Sequence, residues 1–424
     1  MICNIPSEPG KKRVVIVGGG FGGLKLANKL NPKHFQVVLL DKNNYHQFQP
    51  LLYQVAITGL DVSSIAYPFR KNFQKKHVHF RMCELTGVIP EENKIETSIG
   101  SISYDYLVLA CGCETNFFSN DSIKNTTLTL KSISDAIFLR NHILQSFEDV
   151  VTSNDPEETK KLLTFVVVGG GATGVELAGA LADMKKFVLS KDYPEIDFSK
   201  MQIHLIDASP RVLAAMSENA SFHVAKTLEK RSVIIHQNIS VSSYENDVIT
   251  ASDGTVLYSK NVLWVAGIKG VSLDGLKPEN YGRGNRIIVN EYGQVNGFEN
   301  VFAIGDNAMM QTTDYPNGHP QVAQVAIQMA NLIGKNLEKM RTGKQLKKFC
   351  YKDKGSLATI GRNAAVADLG KLKFSGRFAW WLWLWIHIYI ILGVKNKIVI
   401  MLDWAWNYIT YDISPRILIR PKKQ

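Results

Sequence analysis

The chain has 424 residues, 45% hydrophobic and 21% charged, which excludes wholesale disorder and allows about two to four domains. Its 32 glycines and 14 prolines follow no fixed period, so collagen-like and repeat-array folds are excluded, and a mean hydropathy of −0.05 excludes a polytopic membrane protein. The formal net charge of +11 points to an anionic partner, and five cysteines make no disulfide framework, which suits a reducing compartment.

The first ten residues carry Pro6 and Pro9 and too few apolar side chains for a secretory signal. The apolar run Val14–Val17 then leads into Gly18-Gly19-Gly20-Phe21-Gly22-Gly23 and a helical pattern over Leu24–Leu30. A buried strand, G-x-G-x-x-G and a helix form a dinucleotide cradle. Gly18 permits the tight turn, Gly20 lets the backbone approach a pyrophosphate, and Gly23 lets helix and strand pack closely. The strand Phe35–Leu40 ends in Asp41, at the spacing of an acid that binds ribose hydroxyls.

Tyr106–Ala110 reads as another strand, and the charged stretch Asn154–Lys161 as a boundary. The cradle then recurs: Phe165–Val168, Gly169, Gly171 and Gly174, a helical pattern over Val175–Ala182, and a strand Met201–Ile206 ending in Asp207. Met184–Lys200, with Tyr193-Pro194, reads as a surface loop. Each acid disfavours a 2′-phosphate, so NAD is expected over NADP, with Arg211 the one residue placed to meet such a phosphate. Two cradles imply two dinucleotides, FAD and NADH. Further on, Val262–Ala266 reads as a strand and Tyr281–Arg286 as a Gly/Arg-rich loop. Asn300–Ile304 then leads into Gly305-Asp306, where a carboxylate can bind a ribitol hydroxyl.

The segment Lys371–Gln424 holds nine basic residues against Asp403 and Asp412, so it carries +7 of the +11, with six of the seven tryptophans. Basic residues beside a tryptophan belt suit an anionic lipid surface rather than a nucleic-acid groove. Phe378–Val394 is too short to span a bilayer, and its aromatics fill the middle of the run. Two amphipathic interfacial helices, Phe378–Val394 and Ile398–Tyr411, are expected.

On these residues the chain resembles the type II NADH:quinone oxidoreductases, flavoproteins with two dinucleotide domains. The resemblance is carried by Asn44-Tyr45-His46-Gln47-Phe48-Gln49-Pro50-Leu51-Leu52-Tyr53-Gln54-Val55-Ala56, Val175-Glu176-Leu177-Ala178-Gly179 and Leu263-Trp264-Val265-Ala266-Gly267. Ala303-Ile304-Gly305-Asp306, Ala323-Gln324-Val325-Ala326-Ile327-Gln328 and Asp353–Arg362 match as well. It implies an α/β fold of the disulfide-reductase type: two Rossmann-like domains plus C-terminal membrane-binding helices. The FAD-binding domain covers 11–150 and 279–352, the NADH-binding domain 151–278 lies between, and the anchoring region is 353–424. The implied reaction takes hydride from NADH to FAD and two electrons on to a membrane quinone, ubiquinone or menaquinone, without proton pumping. The implied setting is a homodimer on the cytoplasmic side of the inner membrane.

Carried over residue by residue, Gln324 and Gln328 line the quinone pocket, and Glu176 with Lys354 supplies protons. FAD contacts fall on Gly18, Gly20, Phe21, Gly22, Gly23, Asp41, Lys42, Gln49, Gly112, Asp306, Ala323 and Gln324. NADH contacts fall on Gly169, Gly171, Gly174, Glu176, Asp207 and Gly267. His46 reads as a structural histidine, and no metal site is expected. One departure stands out: Cys111-Gly112-Cys113 replaces the usual Thr-Gly of the family. Two thiols fall short of a structural zinc site, so they read as small buried side chains; Cys3, Cys83 and Cys350 carry no pattern. A sulfide:quinone reductase is the alternative within the same superfamily, and it requires a cysteine pair at the flavin.

Overall fold

The computed structural model describes residues 5–411 and 416–419. Cys3, Asp412, Arg420, Lys422 and Lys423, which entered the sequence reading, lie outside them. In chain order the elements that matter are β1 (Lys12–Val17), α1 (Phe21–Lys29), β2 (Phe35–Asp41), α2 (Leu52–Ala56) and β3 (Val78–Met82). Next come β4 (Tyr106–Leu109), β5 (Leu128–Thr129), α3 (Ile133–Thr152), β6 (Thr164–Val168) and α4 (Ala172–Met184). They are followed by β7 (Gln202–Asp207), β8 (Val233–Gln237), β9 (Asn261–Trp264), β10 (Val301–Ala303) and α5 (Ala323–Arg341). The chain ends with β11 (Ser356–Thr359), β12 (Ala365–Leu369), β13 (Leu372–Ser375), α6 (Arg377–Ile390) and α7 (Val394–Thr410).

The chain divides into two compact units. The first comprises 1–46, 67–114 and 268–353; the second comprises 47–66, 115–267 and 354–424. The first is built on a five-stranded sheet in the order β10-β4-β1-β2-β3, all strands parallel. Parallel strands are covered on both faces, which is why Val14, Val15 and Ile16 form an unbroken apolar run with no solvent exposure. Strand order reverses beside β1, so the crevice at its carboxyl end opens between Gly18 and the segment that follows β4.

The second unit repeats the plan, with parallel strands in the order β5-β9-β6-β7-β8. Its crevice opens between Gly169 and the segment after β9. Strand β5 pairs with β9, so residues 128–150, which the sequence reading placed with the FAD domain, lie in this unit. Two other expectations are corrected. Asn154–Lys161 is no boundary but lies within this unit, where Asp155 caps a helix over Pro156–Leu163 by accepting from Glu157 N at 2.9 Å. The expected loop at Met184–Lys200 instead begins by prolonging α4 through a π-helical turn, Lys185–Leu189, which buries Val188 and Leu189. In the same unit the antiparallel sheet β11-β12-β13 supports α6, with Ala365 and Ala367 packed on Ala379.

Candidate functional site

In the first unit Gly18 has φ +101°, and a Cβ there would lie 2.3 Å from Ala110 O. A Cβ on Gly23 would meet Gly18 O at 1.8 Å, so neither position admits a side chain. Gly20 differs, because no atom lies within 4 Å of where its Cβ would be. It is also the N-cap of α1, whose first turn has neither a side-chain cap nor an acid. The backbone N–H groups there face open space with the helix dipole behind them, the arrangement that receives a pyrophosphate. Gly22 packs instead: its Cβ would meet Ile304 and Ala326 O.

Asp41 is held by the loop it closes, accepting from Gly19 N at 2.6 Å and Asn43 N at 2.7 Å. Burial raises its pKa against those bonds, and exposed Lys42 acts in the opposite direction. Phe21 opens α1 with its ring on edge to His46 at 5.2 Å. His46 is buried, pairs Nδ1 with Gly19 O at 2.9 Å and is kept neutral by burial. Gly112 has φ +74° and open space at its Cβ position. Asp306 follows β10 and meets Cys113 Sγ at 3.0 Å. The sequence reading had both cysteines buried; Cys111 and Cys113 are half-buried. Ala323 and Gln324 open α5, whose N-terminus is also without a side-chain cap.

In the second unit the geometry recurs. Gly169 has φ +115° and would clash with Ala266 Cα at 2.8 Å; Gly174 would meet Gly169 O at 1.8 Å; Gly171 faces open space at the uncapped start of α4. Asp207 accepts from Gly170 N and from Ser209 N, the latter at 2.6 Å. Arg211 is turned away and spent on its own loop: Nη1 donates to Met216 O at 2.8 Å and Nη2 to Ala214 O at 3.0 Å. Gly267 lies beyond β9 with φ +73° under the ring of Phe118. Gln49, expected with the FAD contacts, belongs to this unit, where it opens a 3-10 turn, exposed.

Gln324 and Gln328 are half-buried, one turn apart on α5. Gln324 Nε2 donates to Asp353 Oδ1 at 3.2 Å, which also accepts from Tyr351 Oη at 3.4 Å. Gln328 both donates to Lys352 O at 2.9 Å and accepts from Lys352 N at 3.0 Å. The two glutamines thus fix the extended segment 351–353 along the helix. Asp353 lay in the matching motif Asp353–Arg362, but its pairing with Gln324 across 29 residues left no local pattern, and neither did that of Lys352 with Gln328 across 24.

Glu176 is buried in the first half of α4. Burial pushes its carboxyl up to about 8, although Thr359 N donates to it at 3.4 Å. The indole of Trp383 lies in its field, but Nε1 of Trp383 makes no hydrogen bond among the described residues. Tyr53 is buried alongside; Gln54 Nε2 donates to its hydroxyl at 2.9 Å, and Trp404 Nε1 donates to Gln54 Oε1 at 2.8 Å. Lys354 is exposed, just before β11. Tyr53, Gln54, Thr359, Trp383 and Trp404 line one cavity, walled on one side by α6 and α7.

Two sheets with paired glycine cradles define a two-dinucleotide oxidoreductase. The Pyridine nucleotide-disulphide oxidoreductase family matches residues 12–330, and the NDH2 C-terminal domain family matches 354–410. The type II NADH:quinone oxidoreductase Ndh of Mycobacterium tuberculosis is 36% identical over 418 residues, covering 95% of this chain and 89% of that one. That of Haemophilus influenzae is 32% identical, covering 87% and 90%. The chain belongs to the type II NADH:quinone oxidoreductases: it is a non-proton-pumping NADH:quinone oxidoreductase. In fold it is similar to NDH2 from Plasmodium falciparum (TM-score 0.88, 23% identity, 97% and 100% covered). A sulfide:quinone oxidoreductase from Aquifex aeolicus shares the fold alone (TM-score 0.74, 18% identity, 97% and 96% covered). That alternative is not favoured.

Proposed function

We propose that the cradle of the first unit holds FAD and that of the second holds NADH. The observation that supports this most directly is the recurrence, once per unit, of an uncapped helix N-terminus behind an open glycine with an acid clamped to the loop. In the first, Gly18, Gly20, Phe21, Gly22, Gly23, Asp41 and Lys42 take the adenosine diphosphate half, and Gly112, Asp306, Ala323 and Gln324 take the ribityl and ring half. In the second, Gly169, Gly171, Gly174, Asp207 and Gly267 take NADH. Arg211, occupied by carbonyls, leaves nothing there to welcome a 2′-phosphate.

When bound, FAD supplies the acceptor for hydride from NADH and the donor of two electrons to quinone. The chain's own residues orient and protonate: Gln324 and Gln328 are the groups we assign to the quinone carbonyls. Glu176, protonated and neutral at pH 7, is the group we assign to hold a proton for the quinol, with Lys354 the second group we assign to proton supply. The net balance is NADH, one proton and quinone to NAD and quinol. The proposal includes peripheral attachment to an anionic lipid surface through 353–424, on the cytoplasmic side of the inner membrane, and a homodimer.

The test is anaerobic. NADH should bleach the flavin absorbance of the purified protein within one turnover, and a soluble quinone should restore it. Bleaching without restoration by quinone overturns the quinone assignment; no bleaching overturns the pairing of cradles.

A further inference from the structure

We propose that Cys113 is a cofactor-positioning residue: its thiol holds the Asp306 carboxylate in the orientation that receives the ribityl chain of FAD. The inference rests on the reading of Asp306 given above. It begins with strand register. Parallel pairing sets Ala303 beside Leu109, so the segments leaving β10 and β4 run out of the sheet side by side. Residues 193 apart in sequence are thereby brought together, and Cys113 Sγ donates to Asp306 Oδ2 at 3.0 Å.

The main chain of Asp306 is fixed as well, and a cation lies near its carboxylate. Gln321 Nε2 donates to the main-chain oxygen of Asp306 at 2.9 Å. The guanidinium of buried Arg286 lies in the field of both Asp306 and Cys113, while its N–H groups bond Ala308 O and His319 O at 2.9 Å. A carboxylate has two oxygens. With Oδ2 taken by the thiol, Oδ1 remains as the acceptor for a ribityl hydroxyl. A hydrogen bond to an ionised group carries more than a neutral one, which makes even a thiol an effective rotational lock on a two-fold side chain.

Cys111 provides the contrast within one motif. Its thiol turns toward Val17 O at 3.9 Å, and burial holds it protonated, with a pKa of about 12. The Cys-x-Cys pair is thus two residues with different partners rather than a dithiol site. The second cysteine supplies a donor to the cofactor's carboxylate.

The experiment follows FAD release from the holoenzyme on dilution, read as recovery of flavin fluorescence. Cys113→Ala should release FAD about five- to tenfold faster, the scale of one ordinary hydrogen bond, because a thiol is a weak donor. Cys113→Ser keeps a donor and should stay within about twofold of wild type; Cys111→Ala should match wild type. Asp306→Asn is measured in parallel, and the double variant Cys113→Ala with Asp306→Asn should release FAD no faster than Asp306→Asn alone. If Asp306→Asn is fast but Cys113→Ala is not, the Cys113 inference falls and the Asp306 reading stands. If Asp306→Asn matches wild type, the Asp306 reading itself falls. If Cys113→Ser is as fast as Cys113→Ala, side-chain volume rather than the hydrogen bond is responsible, and the inference is overturned. Should Cys113→Ala yield no holoenzyme, the serine variant decides alone: release within about twofold supports the lock, and release beyond about fivefold overturns it.

Discussion

Glu176 shows how one buried carboxyl couples stability to chemistry. An acid whose folded-state pKa is raised binds more protons folded than unfolded between the two pKa values, so stability falls as pH rises through that window. For Glu176 the window runs from the ordinary glutamate value of 4.5 to about 8. Glu176→Gln removes the penalty, and thermal melts should show it more stable than wild type at pH 8 with little difference near pH 4.5. The same substitution removes a proton store. Stopped-flow reoxidation by quinone should show an alkaline limb near pH 8 in the wild type and none in the variant. A limb that persists in Glu176→Gln assigns the titration to another group. At Asp207 the expectation is cofactor choice: with the carboxylate clamped to Gly170 N and Arg211 spent on carbonyls, NADH should exceed NADPH in kcat/KM by at least about tenfold, the scale of one lost or repelled polar contact. Equal values for the two nucleotides would refute that reading of the second cradle.

At the level of elements, α5 performs two tasks that mutation can separate. Gln328 spends its amide on the backbone of Lys352 in both directions, whereas Gln324 meets a side chain, Asp353. Gln328→Ala should therefore lower stability by on the order of 1 kcal/mol as well as slow reoxidation. Gln324→Ala should slow reoxidation with little change in melting temperature. Neither should alter reduction by NADH, and equal loss in both half-reactions would remove the quinone assignment. The elements also show what a sequence can reveal. Gly18, Gly23, Gly169 and Gly174 were legible because a side chain there would strike backbone, so the pattern is dictated by sterics. The core strands were legible as apolar runs buried on both faces. The two residues of β5 were too few to show a period, and its pairing with β9 moved 128–150 to the other unit. At Met184–Lys200, Tyr193-Pro194 and the lysines suggested a loop, yet Val188 and Leu189 carry the helix one turn further into the core. Thr359 and Asp353 were visible as part of a motif, but their pairings with Glu176 and Gln324 were not, since each contact is made across tertiary structure.

For the whole molecule the decisive feature is the outer surface of α6 and α7. Phe378, Trp381, Trp385 and Tyr389 recur at helical spacing and are all exposed, with Trp385 at 71% and Tyr389 at 81%. Ile398, Met401, Leu402, Trp406 and Ile409 do the same on α7. The opposite faces are spent inward: Ala379, Trp383 and Leu384 are buried on α6, and Ile400 on α7, while Asn396 Nδ2 bonds the carbonyls of Ser63, Ser64 and Ala66. Among the described residues no helix is long and apolar enough to cross a membrane. A row of exposed aromatics too short to span fits insertion to the depth of the headgroups. The cations add a second force. Arg377 and Lys395 are exposed at helix N-termini, where the dipole disfavours them, a cost that the proposed anionic surface would offset. Each such residue contributes on the order of 1 kcal/mol near anionic lipid and is screened beyond about 8–10 Å at physiological salt, whereas aromatic burial is not screened. High salt alone should therefore release only part of the protein from liposomes, and replacing Trp381, Trp385 and Trp406 by Ser should release more, because these side chains are exposed and their loss leaves the packed faces intact. Flotation with and without anionic lipid measures both effects. If the triple variant floats as well as wild type at high salt, the aromatic rows of α6 and α7 are not what holds the protein to the bilayer.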